Sequence, residues 1–277
     1  MSVLGLSLPR LRLNGLLGMG ILTTVVLVAI LGPVLVSGDP LALDFRARLM
    51  GPGPGHPLGG DEFGRDVMMR LIHGARTSIW IAFFTTCFAI LSGLVVGILA
   101  GFLRGWTDRV LMMFNDALLA FPGLLLALGF MAVFGASRHG IIIALGLAYM
   151  PAVVRVVRGT VLSLREREFV EASRVMGNSE AVTMMRHILP NCLAPVTVLA
   201  TTMFGWVILA ESALSFLGLG VPPPEPSWGN MLSTARPYAA QAPHLILLPG
   251  LCISITLLGV NMFGDAIRDW LDPKMQG

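Results

Sequence analysis

Residues 165–190 read REREFVEASRVMGNSEAVTMMRHILP, a polar stretch with a central glycine that closes on a proline. Phe169, Ala172 and Met176 recur at helical spacing, while Arg167, Glu171 and Arg174 lie four and three residues apart on a polar face. This spacing predicts a short amphipathic helix. Gly177 suits the positive φ that ends a helix, and Asn178 or Ser179 can cap the next one. Ala181, Met184, Met185 and Ile188 then form a second apolar stripe before Pro190. By periodicity alone the segment is either a helical hairpin lying on a bilayer surface or a grip for a soluble partner.

The rest of the chain supplies the bilayer. Of 277 residues, 55% are hydrophobic and 13% charged, and the mean hydropathy is +0.79. A soluble domain carries closer to a quarter charged residues, so that class is excluded. The net charge of +3 comes from eighteen Arg and the single Lys274. These are dispersed over several loops, which gives no support for nucleic-acid binding. Uncharged or nearly uncharged runs predict six spans near 14–36, 78–103, 110–135, 140–157, 192–217 and 244–264. Arg155 and Arg158 fall late in the fourth run and can snorkel to an interface. Arg10 and Arg12 precede the first run, which is too long for a signal-peptide core and lacks a small-x-small cleavage site, so it reads as a retained anchor.

Six spans put both termini on one side. A cytoplasmic N-terminus leaves twelve basic residues inside, from Arg10 to Lys274, against seven Arg outside, five of them in the loop 37–77. The positive-inside rule favours that orientation and places 165–190 in the cytoplasm. The loop 37–77 also carries Asp39, Asp44, Asp61, Glu62 and Asp66 with several Pro and Gly, and reads as ordered turns. It is either a docking surface for a soluble substrate-binding protein or a solvated cap over the helix ends. The outer segment 218–243 contains Val221-Pro-Pro-Pro-Glu-Pro226, stiff and poor in backbone donors, which predicts an extended turn over the outer mouth. The chain divides into 1–77, with tail, first span and outer loop, and a five-helix core 78–277.

Gly93, Gly97 and Gly101, preceded by Ala89 and followed by Gly105, lay a small-residue groove along the second span. A helix of this chain or of a second subunit packs there. A charge at the bilayer centre costs roughly 2.5–3.5 kcal/mol on insertion scales. Asp116 and Glu211 lie about 9 Å from the nearer ends of their spans, and fit packing, gating or pathway roles better than a proton relay. Cys87, Cys192 and Cys252 sit in or beside apolar runs with no CxxC, and read as packing residues. The five His form no HxxH or HExxH pair, and adjacent Met pairs such as Met112-Met113 cannot share a helix face, so no metal site is expected. The only Lys follows no Gly-rich turn, so this chain cannot hydrolyse ATP through a P-loop. Energy must come from a partner ATPase or an ion gradient.

The segment 165–190, with Glu171-Ala172-Ser173, Gly177 and the closing Leu189-Pro190, resembles the EAA loop of bacterial ABC importer permeases. His187 within His-Ile-Leu-Pro is similar to the dipeptide, oligopeptide and nickel branch, as are His56-Pro-Leu-Gly-Gly-Asp-Glu-Phe-Gly-Arg-Asp66, Phe121-Pro122-Gly123, Leu214-Ser-Phe-Leu-Gly-Leu-Gly220 with Pro226-Ser-Trp-Gly229, and Gly264-Asp-Ala-Ile-Arg-Asp-Trp-Leu-Asp-Pro273. Ser173 stands where the common pattern has Ala, and His187 where it has an apolar residue. The resemblance implies an all-α inner-membrane protein with six transmembrane helices and a cytoplasmic coupling helix, as in type I importers. It implies an ATPase-coupling role for Glu171, Ala172, Ser173, Gly177, His187, Leu189 and Pro190. It also implies a homologous second permease, two cytoplasmic ATPase subunits that bind ATP and Mg, and a periplasmic or surface-tethered binding protein. Dipeptides or oligopeptides are the expected cargo, with nickel or a metal chelate the alternative. An ion-gradient-driven transporter and a non-transporting scaffold are the readings from other classes.

Overall fold

The computed structural model describes residues 13–36 and 38–271. The expectations for Arg10, Arg12, Lys274 and the close of the last motif, Asp272-Pro273, lie outside these residues. Among them no strand forms, and the only bridges are isolated ones at Gly53–His56 and Gly60–Asp66. Five helices are long and apolar enough to cross a membrane, and a bent pair makes a sixth crossing if counted as one. The ten α-helices in chain order are α1 (Leu13–Leu35), α2 (Val67–Leu103), α3 (Gly105–Leu119), α4 (Gly123–Phe134), α5 (Arg138–Arg165), α6 (Glu168–Val175), α7 (Glu180–Thr183), α8 (Leu189–Phe216), α9 (Trp228–Ala235) and α10 (His244–Leu271).

α2 runs through the bundle centre, and its glycine stripe decides its neighbour. A Cβ on Gly97 would meet the Val157 Cβ at 2.8 Å, and one on Gly101 the Val161 Cβ at 2.9 Å, while Gly93 faces Val153. The neighbour is therefore α5 of the same chain, and the pairing advances in step along both helices, so they are parallel. Missing side chains let the two backbones approach where lipid offers no hydrophobic drive. Gly105 does not extend the groove. It has φ +61 and open space around it, and it begins α3 after Arg104 turns the chain at φ 56.

The peripheral helices use the same device. Gly18 of α1 approaches the backbone of Phe263, and Gly259 of α10 faces Ile21, so these helices run antiparallel. Gly264 likewise faces Thr201, and Gly205 faces Leu257, which sets α10 antiparallel to α8. The described ends, Leu13 and Leu271, thus lie at the same end of the bundle as the segment 165–190. This end is called inner below.

Two boundaries differ from the sequence reading. α2 begins at Val67, not near 78, because the Asp66 carboxylate caps it by accepting from Met69 N at 2.9 Å. The polar residues Arg70, His73 and Arg76 lie in its outer three turns, so the outer loop is shorter than 37–77 and residue 77 lies inside a helix. The expected third span 110–135 is not one helix. α3 and α4 meet at 98° across Ala120–Pro122, since Pro122 disfavours helical backbone at Phe121 and opens a new helix at Gly123.

The outer loop is knit by charge. Asp61 accepts from the backbone of Phe63 and Arg65, each at 2.9 Å, and pairs with Arg65 Nε at 2.6 Å and Arg70 Nε at 3.2 Å. Gly60 and Gly64 let it close against the carbonyls of Ala47 and Asp44, where any Cβ would collide.

Candidate functional site: the inner hairpin and its links

α6 and α7 form a hairpin at the inner end, between α5 and α8. α6 ends as expected, with Gly177 at φ +81, and Ser179 caps α7 by accepting from Val182 N at 3.4 Å. The hairpin is closed from inside by polar groups: Ser173 Oγ lies 3.0 Å from Thr183 Oγ1, both buried, and Asn178 Nδ2 donates to Ser173 Oγ at 3.1 Å. Ser173 therefore holds the turn, and the Ala of the common pattern could not make these bonds. Arg174 pairs with Glu180 at 3.2 Å, not with Glu171 as the spacing suggested. Arg165 donates to the Phe102 carbonyl, which ties the hairpin to the end of α2.

The apolar positions read from the sequence divide between two faces. Val170, Ser173, Thr183 and Ile188 are buried, whereas Phe169, Ala172, Met176, Ala181 and Met185 are exposed. The first stripe thus looks away from the bundle beside Glu171, which forms no ion pair among the described residues, while Met184 and Ile188 of the second pack inward. Phe169, Val175 and Met176 leave apolar side chains exposed on the same short helix as this acid. His187 is half-buried with its ring 6.3 Å from that of Phe169. Leu189 opens α8, and Pro190 sits exposed directly after the π-turn, so its missing N–H falls where the regular i to i−4 ladder is already interrupted.

α7, a π-turn over Met184–Ile188 and α8 form one continuous helical run from Glu180 to Phe216. This run joins the hairpin to Glu211 near the outer end. Glu211 is 1% exposed, and its Oε1 accepts from Ser215 Oγ and Ser227 Oγ, each at 2.9 Å. Ser227 is also the N-cap of α9, in a reciprocal capping box with Asn230. The next residue, Trp228, donates its backbone N–H to Ser78 Oγ and its indole N–H to the Leu71 carbonyl, both at 3.1 Å. Asn230 Nδ2 reaches back to the Glu225 carbonyl at 2.6 Å, and Glu225 pairs with Arg138 and accepts from Thr77. The proline-rich run is thereby pinned to α2, α5 and α9. Glu211 ties α8 to α9.

Asp116 is not a lone charge. It accepts from Arg155 Nη2 at 3.0 Å, while Asp108 takes both Nε and Nη2 of Arg158, at 2.6 and 2.8 Å. Both pairs bind α3 to α5. They were hidden in the sequence because the partners are 39 and 50 residues apart, although two acids on one span and two Arg on the next are a hint.

The family described as binding-protein-dependent transport system inner membrane component matches residues 93–277. The dipeptide transport system permease protein DppC of Alkalihalophilus pseudofirmus is 42% identical over 261 residues, covering 94% of this chain and 86% of that protein. A Brucella suis chain, named provisionally as a peptide transport system permease protein, is 44% identical over 260 residues, covering 94% and 88%. The glutathione transport system permease protein GsiD of Pectobacterium atrosepticum is 39% identical over 233 residues, covering 84% and 77%. Among solved structures, the inward-facing MetNI methionine ABC transporter superposes with a TM-score of 0.62 at 18% identity, covering 74% of this chain and 97% of that one, a likeness of fold.

Proposed function

Since the chain belongs to the family of binding-protein-dependent transport system inner membrane components, we propose that it is a permease subunit that passes dipeptides or short oligopeptides inward through a multi-pass assembly in the bacterial inner membrane. Relatives named for peptide and dipeptide transport support peptide as cargo and do not favour nickel. The observation that carries the coupling role is the inner hairpin, which turns Glu171, Ala172 and an apolar patch outward while Ser173 and Thr183 close it from within. In this reading a homologous permease completes the pathway, and each of two cytoplasmic ATPase subunits receives one hairpin. The ATPases bind ATP and Mg2+, and a binding protein delivers cargo to the outer face. Closure of the ATPases moves the hairpin, and the continuous helix from Glu180 passes that motion to the Glu211–Ser227 contact.

The test is reconstitution with the partner permease, ATPases and binding protein in proteoliposomes, following labelled dipeptide and nickel. ATP-dependent accumulation of dipeptide is the expected outcome. Uptake of nickel alone would replace the cargo, and uptake that survives without ATP but collapses with the proton gradient would replace the class.

A further inference from the structure

Two features of the α3–α4 region stand where lipid is the wrong solvent. The registry of Val153 on Gly93 and Val157 on Gly97 sets Arg155 level with Val95. Arg104, the first inner charge on α2, comes nine residues later, about 13 Å along the helix. At this depth the Arg155–Asp116 pair leaves 63% and 57% of its side chains uncovered by the chain. The Arg158–Asp108 pair, nearer the inner end, is better covered at 30% and 20%. Uncovered charge thus increases with depth, opposite to what a lipid-facing surface requires.

The second feature is the break itself. Phe121, Pro122 and Gly123 are all exposed, a Cβ on Gly123 would meet nothing within 4 Å, and the first turn of α4 has no side-chain cap. Backbone that leaves a helix at membrane depth needs protein cover or water. This chain gives it no cover. Six residues earlier on α3, Asn115 is 3% exposed with neither side-chain amide atom paired among the described residues.

We propose that the face carrying Asp116, Arg155 and the Phe121–Gly123 break lines the aqueous route through the assembled transporter, and that the ion pair there meets the opposite charges of a zwitterionic peptide. The water-lined part follows from the exposed pair and the break. The zwitterion part rests on the peptide reading above.

The experiment uses the whole reconstituted importer with Cys87, Cys192 and Cys252 replaced by Ala. Asp116→Cys and Phe121→Cys are exposed to a membrane-impermeant, negatively charged thiol reagent, with Leu91→Cys on the apolar exposed face of α2 as the comparison. Thiolate forms where water reaches, so both should label at least about ten-fold faster than Leu91→Cys. Phe121→Cys leaves the ion pair intact, so its rate stands even if Asp116→Cys assembles poorly. Labelling of Phe121→Cys as slow as Leu91→Cys overturns the water-lined face. Free dipeptide during ATP turnover should slow labelling of Phe121→Cys several-fold, and adding Asp116→Asn with Arg155→Gln should remove that protection without slowing the reaction in its absence. No protection, or protection that survives loss of both charges, overturns the zwitterion site. Failure of the parent importer to take up dipeptide would count against the proposed function and leave the labelling comparison intact.

Discussion

The inner hairpin and the outer α9 cap are each short helices between longer ones, yet they treat their polar groups in opposite ways. At the cap, Ser227, Trp228 and Asn230 spend their hydrogen bonds on Glu211, Ser78, Leu71, Glu225 and Val221 of the same chain. At the hairpin Ser173, Thr183 and Asn178 close the turn among themselves, and Glu171 is left to solvent beside exposed Phe169 and Met176. A segment that satisfies itself stabilises the fold. One that leaves a charge and apolar side chains open contributes little to the fold through them, so on the proposed function their substitution should affect coupling before stability.

The sharpest way to break the contrast is Glu171→Lys, which should abolish uptake while membrane level and thermal stability in detergent remain those of the parent. Normal uptake would remove the hairpin from the coupling role. Gly177→Pro should also abolish uptake, because a fixed φ near −65° cannot meet the observed +81°. On the outer side, Glu211→Leu would strand the hydroxyls of Ser215 and Ser227. It should lower stability by about 2–4 kcal/mol, read from denaturant or thermal unfolding. Glu211→Gln keeps an acceptor oxygen and should cost far less, so equal losses would point to the charge instead of the bonds. Gly97→Ala, pressed against Val157 across the α2–α5 contact, should cost about 1–3 kcal/mol by overpacking. The smallest effect is expected from Ser173→Ala, about 1 kcal/mol, with a partial loss of uptake if a loosened hairpin transmits less. A larger stability loss than Glu211→Leu would reverse the comparison.

Much of this was legible from residue pattern alone. The position of the hairpin, its turn at Gly177, its cap at Ser179 and the glycine stripe on the second span all follow from local chemistry that a window of the sequence contains. The missed parts are those where local and distant information disagree. The apolar run through 110–135 masked a Pro-Gly step that needed to be weighed as a break. The outer three turns of α2 were hidden because hydropathy marks the membrane, whereas Asp66 marks the helix start. Phe169, Ala172 and Met176 had the right period, but which way they look was not readable, since periodicity gives a face and not its neighbour. The ion pairs to Arg155 and Arg158 depend on how α3 crosses α5, which no local spacing encodes.

The helical run from Glu180 to Phe216 has 37 residues, about 55 Å of length. Its close contacts with α10, Thr201 against Gly264 and Gly205 against Leu257, fall near its middle. A rod gripped at its centre works as a lever: a tilt of about 5° would carry its two ends roughly 2 Å in opposite directions. On that geometry a push at the inner hairpin needs no repacking of the core to reach the outer cap. Spin-label distances from Glu180 and Phe216 to α10 should then change with opposite sign when nucleotide binds, and a change of the same sign would mean that the helix slides instead of pivoting.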